Sequence, residues 1–190
     1  MKELLHEDKI FEKVTYVSEE VKGREFERCT FKNCDFSQCN FSGSNFSECT
    51  FVSCNLSMIK LNRSGMRDVV FRECKLLGVN FSDCDNFLFE VLFENCTLDF
   101  ASFMNKKMPG THFLNSSLKN VVFSKSQLHN ALFENTDLSA AVFNETELKG
   151  ANFATAYNFN IDPEINNIKK AKFSLQGTTG LLVKHDIVIV

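Results

Sequence analysis

The sequence predicts an all-β chain wound into a four-sided β-helix of about 20 residues per coil. Two observations lead to this prediction. An apolar residue recurs at every fifth position, and in the second half phenylalanine alternates with aliphatic residues every ten positions. We call the recurring apolar residue of each five-residue repeat position i. The chain has 190 residues, enough for one elongated stack of coils with a continuous core.

The five-residue period is strict in two runs, from Phe11 to Phe81 and, in a second phase, from Phe93 to Phe153. In a chain that is 44% hydrophobic, agreement at all 28 positions has odds on the order of 10⁻¹⁰. On an α-helix a step of five turns by about 140°, and on a straight strand an odd step alternates faces. A short extended segment followed by a corner fits instead. Residues i−2 and i then point inward, i−1 points outward, and i+1 and i+2 turn the chain.

The number of sides follows from the ten-residue alternation. Like residues stack on like only if the number of sides is even, and three sides would mix Phe and Leu in every column. Four sides give four uniform columns. These are Phe93, Phe113, Phe133, Phe153 and Phe173; then Leu98, Leu118 and Leu138; then Phe103, Phe123 and Phe143; then Met108, Leu128, Leu148 and Ile168.

The repeats resemble the pentapeptide-repeat family, whose motif is A/C/S/T-D/N-L/F-x-x. The matching segments are Cys-Asp-Phe at 34–36, Cys-Asn-Phe at 39–41, Cys-Asn-Leu at 54–56, Thr-Asp-Leu at 136–138 and Ala-Asn-Phe at 151–153. The resemblance covers residues 11–173 and implies a right-handed quadrilateral β-helix. We therefore expect an N-terminal cap at residues 1–10 and a C-terminal cap or dimerisation segment at residues 174–190.

The period breaks twice. Phe81 and Phe93 are separated by two residues more than two repeats need, so residues 82–92 hold either a two-residue bulge or a kink between two stacks. Asn158 and Pro163 then occupy position i, so residues 154–167 are expected to contain an irregular loop or a turn begun by proline.

The C-terminal segment has a different pattern. Residues 180–185 are predicted to form a short helix and residues 186–190 a strand. The last coil of a β-helix has an open edge, and a run of Ile and Val is too apolar to leave in water. The segment therefore either joins two chains as a homodimer or caps its own chain. The candidate dimer residues are Leu181, Leu182, Ile187, Val188, Ile189 and Val190.

Nothing in the sequence indicates catalysis, a cofactor or a metal. It lacks a Walker loop and the GxSxG, GxGxxG and HExxH motifs, so we expect a protein that is not an enzyme. All eight cysteines fall on the inward i−2 position without a CxxC pair, which favours buried free thiols over zinc ligands or disulfides. The N-terminus has no apolar signal region and no run approaches the roughly 20 apolar residues of a membrane span, so we expect a cytoplasmic protein.

The charges indicate a protein partner. A net charge of −3 argues against direct binding of nucleic acid, which calls for a basic excess. Between Leu76 and Asn105 there are five acids and no Lys or Arg, at positions expected to face outward. These form a candidate acidic interaction patch: Asp83, Asp85, Glu90, Glu94 and Asp99.

Two functions are open. The first is a scaffold with an unidentified protein partner. The second follows from a resemblance to the Qnr-type quinolone-resistance group, carried by residues 53–58 and the tail at 180–190. That resemblance implies a homodimer joined through the tail, whose acidic surface imitates DNA and binds DNA gyrase or topoisomerase IV, modulating quinolone sensitivity. The long inserted loops of that group are missing here. A continuous acidic strip on one face would favour the second function, and mixed faces the first.

Overall fold

A computed structural model describes residues 4–16, 21–87 and 89–188 of the chain. These residues form a stack of coils in which every strand pairs in parallel with the strand one coil away. Paired residues are four repeats apart along the chain, as in Phe113 with Phe133, so each coil has four sides. The predicted four-sided architecture is therefore confirmed. We name the four sides face A to face D in the order in which the chain visits them from Ile10.

Two faces carry regular strands. On face A a nine-stranded sheet runs through the whole stack. In chain order its strands are β2 (Ile10–Glu12), β4 (Thr30–Lys32), β6 (Thr50–Val52), β8 (Val69–Arg72), β9 (Val91–Glu94), β10 (His112–Leu114), β11 (Leu132–Glu134), β12 (Asn152–Phe153) and β13 (Lys172–Phe173). On face D a four-stranded sheet comprises β1 (Leu5–Glu7), β3 (Glu25–Glu27), β5 (Asn45–Ser47) and β7 (Gly65–Arg67).

Single β-bridges continue the ladders elsewhere. Face B is bridged from Thr15 to Tyr157 and face C from Asn40 to Lys60 and from Asn80 to Val142. In the coils after β7 and residues 85–90, face D continues as single bridges from Lys107 to Asn167. The whole stack is thus one set of parallel ladders, with neighbouring coils about 4.8 Å apart.

The core consists of the residues at i and i−2, as the sequence predicts. Phe133 is fully buried, and its ring stacks on Phe113 at 5.0 Å and on Phe153 at 4.6 Å between centroids. Its edge meets Phe123 and Phe143 of the neighbouring column at 5.9 and 6.4 Å. The stacked and edge-to-face geometries are those that aromatic quadrupoles prefer, so this core is both apolar and geometrically specific.

The corners are formed at position i+2, where the backbone is left-handed. Non-glycine residues at the corners have φ between 49° and 62°, and many of them are asparagine, whose short polar side chain tolerates this region. Glycine takes the same place at Gly43 and Gly110, with φ of 70° and 71°. The predicted turn at i+1 and i+2 is confirmed.

The first coil begins earlier than the sequence indicates. Strand β1 pairs with β3, and the His6 ring stacks on Phe26 at 5.0 Å, so residues 5–7 already belong to the stack rather than to a separate cap at 1–10. The apolar pattern misses this coil because an imidazole, not an apolar side chain, occupies position i. Residues 1–3 lie outside the described part of the chain.

The first break in the period is a bulge and not a kink. Phe71 pairs directly with Phe93, so face A runs through the two extra residues without interruption. Asp85 still hydrogen-bonds through its N–H to the carbonyl of Ser64 with the ordinary offset. The two extra residues therefore lie between Asp85 and Val91 on face D, where β7 is the last regular strand. We call residues 85–90 the insert.

A buried lysine supports the insert. Lys106 lies at an inward i−2 position, is 1% exposed, and donates hydrogen bonds from Nζ to the Cys84 carbonyl at 2.5 Å and to Asn86 Oδ1 at 3.1 Å. Its ammonium also lies 4.8 Å from the ring centroid of Phe89. Burial lowers the pKa of Lys106, against the opposing influence of Cys84, Asp85 and Asp83. Phe87, which follows Asn86 in the insert, projects into solvent with 78% of its surface exposed.

The second break and the C-terminus pack together. Asn158 and Pro163 are exposed, and Phe159 and Ile161 are buried instead. Residues 163–165 form a turn, as expected from the break in the period. The predicted short helix is present as two 3-10 helices, Gln176–Leu181 and Val183–His185. The Ile161 N–H donates to the Gly180 carbonyl at 3.0 Å, which holds the segment on the last coil. Residues 186–188 form no strand in this single chain, and Ile189 and Val190 lie outside the described residues.

We expect Phe133→Ala to lower the free energy of unfolding by about 3–5 kcal/mol, because it leaves a cavity between two stacked rings. Urea unfolding followed by circular dichroism measures the change. The matched control is Phe87→Ala, which removes an exposed ring and should change stability by less than about 0.5 kcal/mol. Equal effects of the two substitutions would contradict the inward assignment.

We expect Lys106→Met to lower the free energy of unfolding by about 1–3 kcal/mol, because it removes the donor that satisfies the Cys84 carbonyl and the Asn86 side chain. Faster amide hydrogen exchange confined to the insert should accompany the loss of stability. The exposed neighbour Lys107→Met is the control and should behave like the unsubstituted protein. A Lys106→Met protein with unchanged stability and exchange would show that the ammonium does not support the insert.

Candidate functional site

The structure divides the five predicted patch residues among four faces. Asp85 and Glu90 lie on face D, and Asp83 lies at the adjoining corner of face C, where it accepts a hydrogen bond from Asn62 at 3.1 Å. Glu94 lies on face A and pairs with Arg72 at 3.0 Å. Asp99 lies on face B, opposite face D, and accepts hydrogen bonds from Ser117 and from the Lys119 N–H. Glu94 and Asp99 therefore do not join the other three.

Face D carries a larger group of acids that the sequence pattern did not reveal. At its outward positions i−1, i+1 and i+2, from the first coil to the insert, there are eight carboxylates and two cations, Arg28 and Arg67. Seven of the eight are exposed and Glu27 is half-buried. We call these eight the acidic strip: Glu7, Asp8, Glu25, Glu27, Glu48, Asp68, Asp85 and Glu90.

The two arginines of face D contact the strip differently. In the first two coils Arg28 contacts three carboxylates, those of Glu7, Asp8 and Glu27, and its hydrogen bond lowers the pKa of Asp8. Arg67 contacts Glu48 only at 3.9 Å. A side-chain hydrogen bond with Asp68 raises the pKa of Glu90, as expected for two carboxyl groups held side by side. Each half of the strip therefore has four carboxylates and one arginine, spread over the first two coils in one half and over the next three levels in the other.

The charge density of the strip is close to that of one DNA strand. Subtracting two cations from eight carboxylates leaves six negative charges on five levels of face D. Five levels about 4.8 Å apart span about 19 Å. One strand of B-DNA carries about six phosphates over that length, at one every 3.4 Å or so. A basic protein surface would thus meet a comparable line of charge.

In the coils that follow the insert along the chain, the charge of face D changes sign. Its outward positions there hold four lysines, with His129 and one carboxylate, Glu147. We call the lysines the basic half: Lys107, Lys149, Lys169 and Lys170. Among the described residues, faces A, B and C carry carboxylates and cations in nearly equal numbers. The small net charge of the chain therefore conceals one strongly dipolar face.

A simple rearrangement of the sequence reveals the strip. Its members recur from coil to coil, so a local charge window never contains more than a few of them. If the sequence is written with one coil of 20 residues in each row, and two residues are removed at the insert, the members of the strip fall in adjacent columns. Lys106 could be recognised in the same way, as a cation at an i−2 position opposite an insertion.

The cysteines are buried in the core. All eight are buried free thiols, as the sequence predicts. Burial raises the pKa of Cys49 and of Cys84 to about 12, which disfavours the reactive thiolate. In the described part of the chain, no group of three or more His, Cys, Asp or Glu side chains is placed to hold a metal ion.

The C-terminal segment leaves apolar surface uncovered. Leu181 is partly buried against the core, whereas Leu182, Ile187 and Val188 are 37%, 55% and 88% exposed. A groove of about 960 Å³ lies between this segment and the last coil, lined in part by Tyr157 and Phe159. The segment therefore covers one side of the last coil and presents a second apolar surface outward.

Comparison with known proteins agrees with this architecture. A family model described as pentapeptide repeat region matches residues 24–103, and one described as pentapeptide repeats (8 copies) matches residues 123–156. None of the curated proteins matches the chain. Over the described residues, no helix is both long and apolar enough to cross a membrane.

Two solved structures share the fold. A trypsin-treated variant of QnrB1, a plasmid-mediated fluoroquinolone resistance protein, is 16% identical with a TM-score of 0.60, covering 98% of this chain and all of that one. HetL, a pentapeptide repeat protein involved in heterocyst differentiation regulation from the cyanobacterium Nostoc sp. strain PCC 7120, is 15% identical with a TM-score of 0.63. That match covers 92% of this chain and 86% of HetL.

At these identities the likeness shows the fold, a right-handed quadrilateral β-helix. Together with the strict five-residue period and the two family matches, which cover more than half of the sequence, it shows that the chain belongs to the pentapeptide-repeat proteins.

Proposed function

We propose that this protein is a non-enzymatic interaction protein whose acidic strip binds a basic surface of a protein partner in the cytoplasm. The observation that carries the proposal is the concentration of six net negative charges on one half of one face. The parallel ladders hold these carboxylates in fixed rows, so binding requires little ordering of the backbone. Clustered charge of one sign also steers a basic partner towards the strip.

The acidic strip also supports a second candidate function, the binding of DNA gyrase or topoisomerase IV by imitation of DNA. The observation in its favour is that the strip has the linear charge density of one DNA strand. QnrB1, a structural neighbour, is a fluoroquinolone resistance protein, although the identity is too low to transfer its role. The strip matches the charge of only one of the two strands of duplex DNA, so we place this function second to the binding of some other basic protein.

Neutralising half of the carboxylates of the strip should weaken partner binding. The test variant carries Glu25→Gln, Glu48→Gln, Asp68→Asn and Glu90→Gln, and the matched control carries Glu12→Gln, Glu73→Gln, Glu134→Gln and Glu145→Gln on faces A and C. In gyrase supercoiling and topoisomerase IV decatenation assays, inhibition by the unsubstituted protein should weaken about tenfold or more in the test variant, since several ion pairs are lost together. The control should inhibit normally.

If neither topoisomerase is inhibited, the unsubstituted protein, the test variant and the control variant can still test whether the strip binds another basic partner. Each is immobilised in turn and exposed to cell extract at low and high salt. We expect at least one protein to be retained by the unsubstituted and control forms, lost from the test variant, and released by salt. Identical retention by all three forms would contradict a role for the strip.

We further propose that the C-terminal segment joins two chains into a homodimer. The apolar surface of Leu182, Ile187 and Val188 and the adjacent groove favour this arrangement over a cap alone. The unsubstituted protein should sediment as a dimer even at about 0.5 M salt, because an apolar contact is not screened. Leu182→Glu with Ile187→Glu should give a monomer.

Met58→Glu with Leu77→Glu is the control for this dimer test. It alters two exposed apolar side chains on face B, which are 57% and 40% exposed and far from the C-terminus. This control should remain dimeric. A C-terminal variant that sediments like the unsubstituted protein would rule out the proposed interface.

A further inference from the structure

Face A combines an outward aliphatic band with a balanced set of charges. The outward positions of its five central strands, β6 and β8 to β11, include five half-buried aliphatic side chains. These are Val52, Val70, Leu92, Leu114 and Leu132. Around them lie four carboxylates and four cations, those of Glu12, Glu73, Glu94 and Glu134 and of Lys13, Lys32, Arg72 and Lys172. An aliphatic centre with polar surroundings is typical of a protein–protein contact.

We infer that face A binds the same face of a second copy of this chain. The two stacks run antiparallel, and the two-fold axis lies along the strand direction, between β8 and β9. This rotation reverses the order of the strands and keeps their direction, so β8 faces β9, β6 faces β10, β4 faces β11 and β2 faces β12. Each outward column then faces itself, i−1 opposite i−1 and i+1 opposite i+1. Because the contact is isologous, every pairing occurs twice.

The charges match in this arrangement. Arg72 lies opposite Glu94 of the second copy, and the same two residues form an ion pair at 3.0 Å within each chain. The two copies therefore bring two arginines and two glutamates together in a square of alternating charge. Lys32 lies opposite Glu134 of the second copy, and neither residue has an ion-pair partner among the described residues of its own chain. Four ion pairs thus cross the contact.

The uncharged positions match as well. Val70 lies opposite Leu92 beside the axis, and Val52 lies opposite Leu114. The aliphatic side chains of the two copies thus meet at the centre and remove apolar surface from water. The remaining opposite pairs on the strands contain no like charges: Ile10 with Asn152, Glu12 with Ala154, Thr30 with Leu132 and Thr50 with His112.

Other arrangements of the same two faces are less favourable. With the axis on β8, Arg72 meets Arg72 of the second copy, and with the axis on β9, Glu94 meets Glu94. A parallel arrangement of the stacks places i−1 opposite i+1 of the same strand, so Val70 meets Arg72 and Leu92 meets Glu94. The pattern of face A therefore selects one orientation and one register.

The size of the contact and its rim limit its strength. Eight strands about 4.8 Å apart and about 10 Å wide give roughly 400 Å² on each copy, about half of a standard interface. At the corner towards face D, Asp68 and Glu90 of the two copies come opposite each other, a like-charge pair that water screens only in part. The association is therefore weak, and high salt dissociates it by weakening the four ion pairs. Face D stays open, so the acidic strip can still bind a partner.

Reciprocal charge reversal tests this arrangement on the full chain. All proteins carry Leu182→Glu with Ile187→Glu, so that association through the C-terminal segment does not contribute; the protein with these two substitutions alone is the background. One variant adds Lys32→Glu and Arg72→Glu, and the other adds Glu94→Arg and Glu134→Lys. Each variant alone should fail to associate, because like charges then meet. An equimolar mixture should associate, because every reversed residue then meets an opposite charge.

Sedimentation equilibrium at about 50 mM and about 500 mM salt is the measurement, at protein concentrations up to about 0.5 mM. We expect the weight-average mass of the background, and of the mixture, to rise towards twofold from high to low salt, by mass action on a weak contact. Each reversal variant alone should keep its high-salt mass. The control Lys75→Glu with Lys125→Glu, on faces B and C, has the same net charge as the first variant and should associate like the background.

Two results would overturn the inference. One is a mass of the background that depends on neither salt nor protein concentration. The other is a mixture that behaves as the sum of its components. Neither result bears on the acidic strip as a partner-binding surface, which the supercoiling and retention experiments test separately. Neither bears on the C-terminal dimer, which is tested at high salt with the C-terminus unsubstituted.

Discussion

The stacking of one inward side chain on its counterpart in the next coil determines the rest of the structure. Phe133 lies between Phe113 and Phe153 at ring distances of 5.0 and 4.6 Å, and the same contact recurs from coil to coil. Because the ring at position i fixes the register of its repeat, it also fixes which residues point outward. Side chains that are distant in sequence are thereby placed about 4.8 Å apart on one face.

This constraint explains why the stack tolerates some irregularities. Two extra residues are accommodated because the face A ladder keeps its pairing across them, from Phe71 to Phe93, and the extra length is confined to face D. The bulge exposes carbonyl groups to the interior, where unsatisfied acceptors are unfavourable. Lys106 satisfies them with a buried ammonium, at a position that in most repeats holds a small or apolar side chain.

The extent of what the sequence predicts follows from the same physics. Phe at position i and Cys at i−2 repeat every five residues, so a local pattern was enough to give the columns, the number of sides and the length of the insertion. The apolar pattern misses the first coil because His6 replaces an apolar residue. It misses the role of Lys106 because a cation at i−2 stands out only when the coils are aligned around the insertion. The acidic strip was missed because its members, such as Glu48 and Asp68, become neighbours only after coiling.

The distribution of charge matters more for function here than its total. A chain with a net charge of −3 gives little sign of strong electrostatic binding, yet face D separates six net negative charges from a lysine-rich half. Those carboxylates can meet the basic surface of a partner. Because the parallel ladders hold them in fixed rows, a partner with an extended basic channel can contact several coils at once, and the ion pairs it forms weaken together as the salt concentration rises.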